Sequence, residues 1–230
     1  DWFGRSITDH QITELQYPEP GERHEIFVPV RCHMRTELGT VWKTYRVYFH
    51  QPRVDLTVRF QWRDVVPKSF RLGRMILNPL AFDPDTLYYA TTNGGEDIER
   101  SGLRGEWVQQ DEPVNGATAR GCVGATEGWV AVGDAARGIG FVTRPAELYS
   151  VPLLHYQESA SDTGDFQLGL VYSLGEWDET SHILWRGHST WSLSILGATD
   201  DIVGKTRACA LLANGGLVAR CEENDTRHRR

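Results

Sequence analysis

Carboxylates and histidines are the residues of this chain with most scope for chemistry. Glu96, Asp97, Glu99, Glu127, Asp162 and Asp165 fall in stretches rich in Gly, Asp, Glu and Ser that read as loops. Two carboxyl groups held ~5–10 Å apart suffice for glycoside hydrolysis. A His beside a carboxylate would instead move protons, with His155 and either Glu127 or Asp162 as the pair. Chain spacing does not choose among these, because strands distant in sequence can bring any two together. Solvated or turn-capping carboxylates have the same spacing.

Flat aromatic faces stack on the C–H faces of sugars. The chain has eight Trp and eight Tyr, and the question for each is core or surface. Trp62 and Trp191 fall on apolar sides of alternating runs and are expected in the core. Trp107 and Trp129 border Gly- and Glu-rich stretches, where an exposed ring would suit a glycan. The candidate carbohydrate-binding set is therefore Asn93, Trp107, Glu127, Trp129, His155 and Asp162. It requires the segments 92–100, 124–129 and 155–165, with the loop around Trp107, to converge in space.

Other chemistries lack their motifs. There is no G-x-G-x-x-G or Walker loop for phosphate and no G-x-S-x-G elbow for a serine nucleophile. The eight His are scattered, with no His-x-His or His-Glu-x-x-His pair. Cys32, Cys122, Cys209 and Cys221 form no C-x-x-C, so neither a zinc site nor a cofactor is expected. Cys32 lies on the apolar side of its segment, where a buried thiol fits. Two disulfides stay open, and with them the compartment; reduced thiols would suit the cytoplasm.

The elements that would position these groups are strands. Val54, Leu56, Val58, Phe60 and Trp62 alternate with Asp55, Thr57, Arg59, Gln61 and Arg63, so one face meets a core and the other meets water. Val28, Val30, Cys32 and Met34 alternate with Pro29, Arg31, His33 and Arg35, and 166–174 repeats the pattern. Half-polar strands belong to antiparallel sheets. Turns fall at Glu37–Thr40 and His50–Arg53. Asp134–Gly138 reads as a hairpin turn, with positive φ available to Gly138, and Asn214-Gly215-Gly216 as another, between Ala208–Leu212 and Leu217–Arg220. Segments 94–120 and 156–165 read as long loops. Within Asp178–Leu196, Trp191, Leu193 and Ile195 alternate like a strand, while Asp178-Glu179 could open a short helix. The expectation is all-β: one antiparallel two-sheet sandwich over residues 1–230 with little helix, and a flexible tail over 222–230.

A net charge of −7 argues against a nucleic-acid partner. No apolar run approaches the ~20 residues that span a bilayer, so no membrane partner is expected. Residue 1 is Asp rather than Met, which leads to the expectation of a fragment or processed product.

The run Arg46-Val47-Tyr48-Phe49-His50-Gln51-Pro52-Arg53-Val54-Asp55, followed by Trp62, resembles the opening of the C-terminal β-domain of glycoside hydrolase family 38 α-mannosidases. Leu72 to Pro79 resembles the leucine-led strand that follows there. Tyr89, Asn93-Gly94-Gly95 and Arg100 resemble that family's glycine-containing segment. Trp129 to Asp134 with Gly138-Ile139, then Leu153-Leu154-His155 and Asp162 to Phe166, resemble its later segments in order. The likeness covers roughly residues 40 to 175. His155 stands where the family shows Arg, and Asp165 where it shows His, which marks a divergent member. The resemblance implies a galactose-mutarotase-like supersandwich that lines a substrate cleft and buttresses a catalytic barrel elsewhere in the same protein. It implies a carbohydrate partner and no catalysis by this chain alone, since the family's catalytic aspartate and zinc ligands lie in that barrel. A free-standing aldose epimerase or polysaccharide lyase, and a structural or protein-interaction module without a sugar site, are the competing readings.

Overall fold

In the computed structural model, residues 14–16, 25–65, 71–103, 127–147, 150–157, 167–173 and 185–215 are described. The alternating runs form long strands: β1 (Glu14–Gln16), β2 (Phe27–Thr36), β3 (Gly39–Tyr48) and β4 (Arg53–Val65). They are followed by β5 (Arg71–Leu77), β6 (Tyr88–Thr91), β7 (Glu99–Gly102), β8 (Trp129–Gly133) and β9 (Gly138–Thr143). Last come β10 (Val151–Gln157), β11 (Gln167–Ser173), β12 (Trp185–Ala198) and one helix, α1 (Ile202–Gly215). The strands make a nine-stranded sheet, β1-β2-β3-β4-β12-β9-β8-β6-β7, and a three-stranded sheet, β10-β11-β5. Their pairings are antiparallel throughout. The chain is thus an all-β, two-sheet antiparallel protein with one helix.

The core lies between the sheets, where alternation predicts it. Leu56, Val58, Phe60 and Trp62 of β4 join Trp191 and Leu193 of β12 and Phe141 of β9. Leu77, Leu154, Leu170 and Tyr172 of the small sheet close over them. Trp62 stacks on Phe60 with ring centroids 4.6 Å apart, and its indole N–H donates to Ser189 Oγ at 2.9 Å. Trp191 packs on Tyr172 and donates to Ser150 Oγ at 2.8 Å. Both rings are buried and both polar edges are satisfied, which is what a Trp needs in a core. Cys32 is also buried, on the apolar side of β2.

The other face of the large sheet is covered over β6, β8 and β9 by α1, which buries Tyr88, Ala90, Trp129, Ala131 and Val142 against Ile202 and Ala210. The expected hairpin of Ala208–Leu212 with Leu217–Arg220 is corrected here, because Ala208–Leu212 lies inside α1. Asp201 caps the helix by accepting the Gly204 N–H at 2.9 Å, and the Ala, Leu, Lys and Arg that follow are strong helix formers. Residues 217–220 fall outside the described residues, as do Asp178-Glu179 and the 222–230 tail. Two other expectations change. Strand β7 lies within the stretch read as a loop from 94 to 120, and β10 runs on to Gln157.

The Asp134–Gly138 hairpin forms, but for a different reason than positive φ at Gly138. The nearly buried Asp134 carboxylate accepts the backbone N–H groups of Asp83, Ala136 and Arg137 at 2.7–2.8 Å. Burial pushes that carboxyl upward in pKa, but the three donors outweigh it and leave it below its usual value. Gly138 is needed for space: a Cβ there would stand 2.4 Å from Ile202 Cγ2. Positive φ is used instead at other glycines, among them Gly39 in the β2–β3 turn, at φ 134°.

Candidate functional site

The described members of the expected carbohydrate set do not form one site. Asn93 is exposed on the loop after β6. Glu127 is half-buried and already engaged. Its Oε2 accepts the Trp129 indole N–H at 3.1 Å and the Thr92 hydroxyl at 3.3 Å, and lies 3.5 Å from Arg207 Nε of α1. Arg207 also donates to the Glu96 carbonyl at 2.8 Å, and the Asn214 side chain donates to the Glu127 carbonyl at 3.1 Å. This cluster fastens the end of α1 to the loops at 92–96 and 127. Trp129 is corrected from a stacking surface to a core residue: it is 1% exposed and α1 covers it. Segments 92–100 and 127–129 therefore converge, but as a structural clasp.

His155 sits in β10, opposite Gly169, which is opposite Ile76. That strand packs on the core side of the large sheet, while the Glu127 carboxylate bonds to α1 partners on the other side. The two residues thus belong to elements on opposite sides of the large sheet. Trp107 and Asp162 lie outside the described residues. No three His, Cys, Asp or Glu among the described residues are placed to hold a metal ion.

A different surface brings aromatic, cationic and hydroxyl side chains together. Helix α1 packs on its face of the large sheet mainly over β8, β9 and part of β12, and its Cys209 comes near Arg53 and Asp55 at one end of β4; most of β2 to β4 lies beyond that packing. Register assigns its occupants, because residues directly opposite share a face. His33, Trp42, Arg59 and Thr190 form one cross-strand row. Arg35, Thr40, Gln61 and His188 form the next, and Arg31, Thr44, Thr57 and Ser192 the one before. Pro29, Arg46, Asp55 and Ser194 follow. Trp42 stands in the middle, partly buried, and among the described residues its ring has no aromatic partner and its indole N–H no hydrogen bond. Trp62, Trp129 and Trp191, by contrast, are buried with that N–H bound. Direct cross-strand neighbours place Cβ atoms ~4.5–5.5 Å apart, so His33 and Arg59 flank the ring and Arg35 and Gln61 stand diagonal to it.

The far end of this face is locked by a second network. Tyr48 Oη donates to Asp55 Oδ2 at 2.8 Å, and Arg53 grips the same carboxylate through Nε at 2.8 Å and Nη2 at 3.1 Å. Arg53 Nη2 also reaches Ser194 Oγ at 3.3 Å. Burial pushes the Asp55 carboxyl up, but the bonds from Arg53, Ser194 and Tyr48 outweigh it and hold the group below its usual pKa. Burial, then the bond to Asp55, raises the Tyr48 phenol. The Arg53 guanidinium lies over the Tyr48 ring at 5.2 Å and Arg46 over Phe27 at 5.9 Å. Asp55 stays ionised with its acceptor sites filled, so it holds β3, β4 and β12 in register and is a poor proton donor. Much of the Arg46–Asp55 run that carries the family resemblance is accounted for by this network.

Sequence reading missed Trp42 because β3 carries aromatic and cationic residues on both sides: Trp42 and Arg46 on one, Lys43 and Tyr45 on the other. Its alternation is blurred. The usable signal was in its neighbours, where the polar positions of β2 and β4 are filled largely by Arg.

No protein-family model and no curated protein sequence matches the chain. Among solved structures it is similar to the mutarotase candidate YeaD of Salmonella typhimurium, at TM-score 0.44 and 11% identity over 82% of this chain. It is also similar to the Slr1438 protein of Synechocystis, at TM-score 0.42 and 11% identity over 81% of this chain. A third is the family 36 α-galactosidase AgaA of Geobacillus stearothermophilus in complex with raffinose, at TM-score 0.41 and 13% identity over 81% of this chain. The chain spans 64%, 66% and 28% of the lengths of these three.

Proposed function

We propose that this chain is a non-catalytic, carbohydrate-associated β-domain that lays a glycan across the open face of its nine-stranded sheet, with Trp42 as the stacking surface. The observation that carries this reading is the partly exposed indole of Trp42, unpartnered among the described residues and held on an interior strand among side chains that bond hydroxyl groups. A flat aromatic face meets the C–H face of a sugar, while Gln61, His33 and the threonines at 40, 44, 57 and 190 reach its hydroxyls. Strands hold these groups more rigidly than loops would, so little ordering entropy opposes binding. The face is a platform, which suits a stretch of polymer better than one enclosed monosaccharide. The Glu127 and Asp55 carboxylates are engaged by Trp129 and Arg53, which suits them to holding structure rather than moving protons. The α-mannosidase resemblance adds a catalytic barrel in the same protein as the working partner.

The test is affinity electrophoresis of the purified chain through gels containing neutral and acidic polysaccharides, with Trp42→Ala beside it. Retardation of the wild type by at least one polysaccharide, lost in Trp42→Ala at unchanged melting temperature, is expected. Migration unaffected by any polysaccharide, or retardation that survives Trp42→Ala, overturns the proposal.

A further inference from the structure

We infer that the glycan of this face is an extended acidic polysaccharide, one whose sugars carry carboxylate or sulfate groups; this rests on the platform reading above. Charge complementarity commits it to that occupant. The chain as a whole carries −7, yet the open face concentrates cations. Its alternating positions hold Arg31, Arg35, Arg46, Arg53, Arg59 and Arg63, whereas its described carboxylates on β1 to β4 are Glu14 and Asp55.

Of these, Asp55 is paired with Arg53, and Glu14 Oε2 lies 3.3 Å from His33 Nδ1. Arg35, Arg59 and Arg63 are exposed and carry no ion pair among the described residues. Arg46 lies over the Phe27 ring and stands directly opposite Asp55. Three guanidinium groups, those of Arg35, Arg59 and Arg63, thus lack an anionic partner among the described residues on the face that holds Trp42. Salt screens the distant negative charge of the molecule beyond ~8–10 Å, so a bound ligand responds to this local surplus.

Their placement fits a chain-like ligand. Arg59 is the direct neighbour of Trp42 and Arg35 its diagonal neighbour on the other flanking strand, so anions on either side of a stacked ring meet a cation. Arg63 continues the line along β4, about 13 Å beyond Arg59 at ~3.3 Å per residue. Guanidinium forks bind planar carboxylates and sulfates through paired N–H donors. Single-stranded nucleic acid would also bring anions and flat rings, but successive bases call for successive aromatic faces. Here one Trp stands among threonines, a Gln and a His, the groups that suit sugar hydroxyls.

The experiment measures binding of the whole chain to polygalacturonate, dextran sulfate, neutral dextran and a single-stranded DNA oligomer at rising salt. Partners are the wild type, Trp42→Ala, the triple variant Arg35→Gln/Arg59→Gln/Arg63→Gln, and the control Arg137→Gln. The first two ligands separate carboxylate from sulfate, and binding to either one supports the inference. Affinity for it should fall as salt rises. It should drop at least about tenfold in Trp42→Ala and in the triple variant, as expected for losing charge-assisted bonds, while Arg137→Gln binds like the wild type. Melting temperature checks each variant, and Arg59→Lys, which keeps the charge, should retain more binding than Arg59→Gln. Neutral dextran held as tightly as the acidic polymers, without salt dependence, overturns the acidic inference and leaves the glycan reading standing. DNA held as tightly as the acidic polysaccharides, or no polymer held at all, overturns both.

Discussion

Gly140 of β9 lies under α1, and a methyl group added there is a sharp test of how the helix sits on the sheet. The Cβ of Gly140→Ala would stand 1.9 Å from Thr206 Oγ1 and 2.9 Å from both Thr206 Cβ and Cγ2. Thr206 is 0% exposed and its hydroxyl donates to the Ile202 carbonyl at 2.6 Å, so it has no free direction to turn. Ordinary contacts need ~3.5 Å, so the helix must lift by about 1.5 Å or the Thr206 bond must break. Overpacking of this kind costs ~1–3 kcal/mol. Against it, removing a glycine stiffens the unfolded chain and returns ~0.4–1 kcal/mol. The clash wins, and the net destabilisation is about 1–2 kcal/mol. At ~2–4 °C per kcal/mol for a chain of this size, the midpoint should fall by roughly 2–8 °C.

The assay is thermal and urea unfolding of four proteins: wild type, Gly140→Ala, Thr206→Ala and the double variant. Thr206→Ala removes two of the three clashing atoms and leaves its own Cβ, so the rescue is partial. The double variant should be more stable than the sum of the singles by about 0.5–2 kcal/mol. Additive losses, or a Gly140→Ala protein that melts with the wild type, would refute the packing of α1 on β9.

Two further outcomes follow from the core and the turn. Trp62→Ala empties a site that is 6% exposed, stacked on Phe60 and bonded to Ser189, so urea unfolding should show a loss of ~3–5 kcal/mol. Asp134 titrates below its ordinary value of 3.8 in the folded chain. The stability it supplies is complete above that value and is lost as pH falls through it towards the lower folded pKa. Asp134→Ala should therefore melt lower than wild type at pH 7, with the gap narrowing below about pH 4, as followed by thermal melts across pH; a constant gap would contradict the assignment.

Strand identity was legible wherever one side of a run was uniformly apolar. The Val54–Trp62 alternation places β4, its buried face and the two-sheet core, and Trp191-Leu193-Ile195 places β12. The helix was not legible in the same way: Ala208–Leu212 is an apolar run that period alone does not assign, and the capping Asp201 lay outside the segment being weighed. The candidate site was misread because exposed tryptophans were sought in loops. Trp129 borders a loop in sequence, yet α1, distant in the chain, covers it. Trp42 belongs to a strand whose two sides look alike, and only pairing with His33 and Arg59 reveals which face it shares. Cross-strand neighbours are set by register between distant segments, which composition does not carry.

The borders of the large sheet bear on how this molecule meets others. Among the described residues its outermost strands are short: β1 is three residues with Glu14 and Gln16 exposed, and β7 is four, Glu99-Arg100-Ser101-Gly102, mostly exposed and led by two charges. An open border of free N–H and C=O groups templates the growth of a sheet from chain to chain, and brevity with charge discourages it. Nine strands would otherwise offer a broad seed for fibrous stacking. With both described flanks short and charged, the molecule can display a broad sheet face at high concentration and still resist polymerising through its backbone.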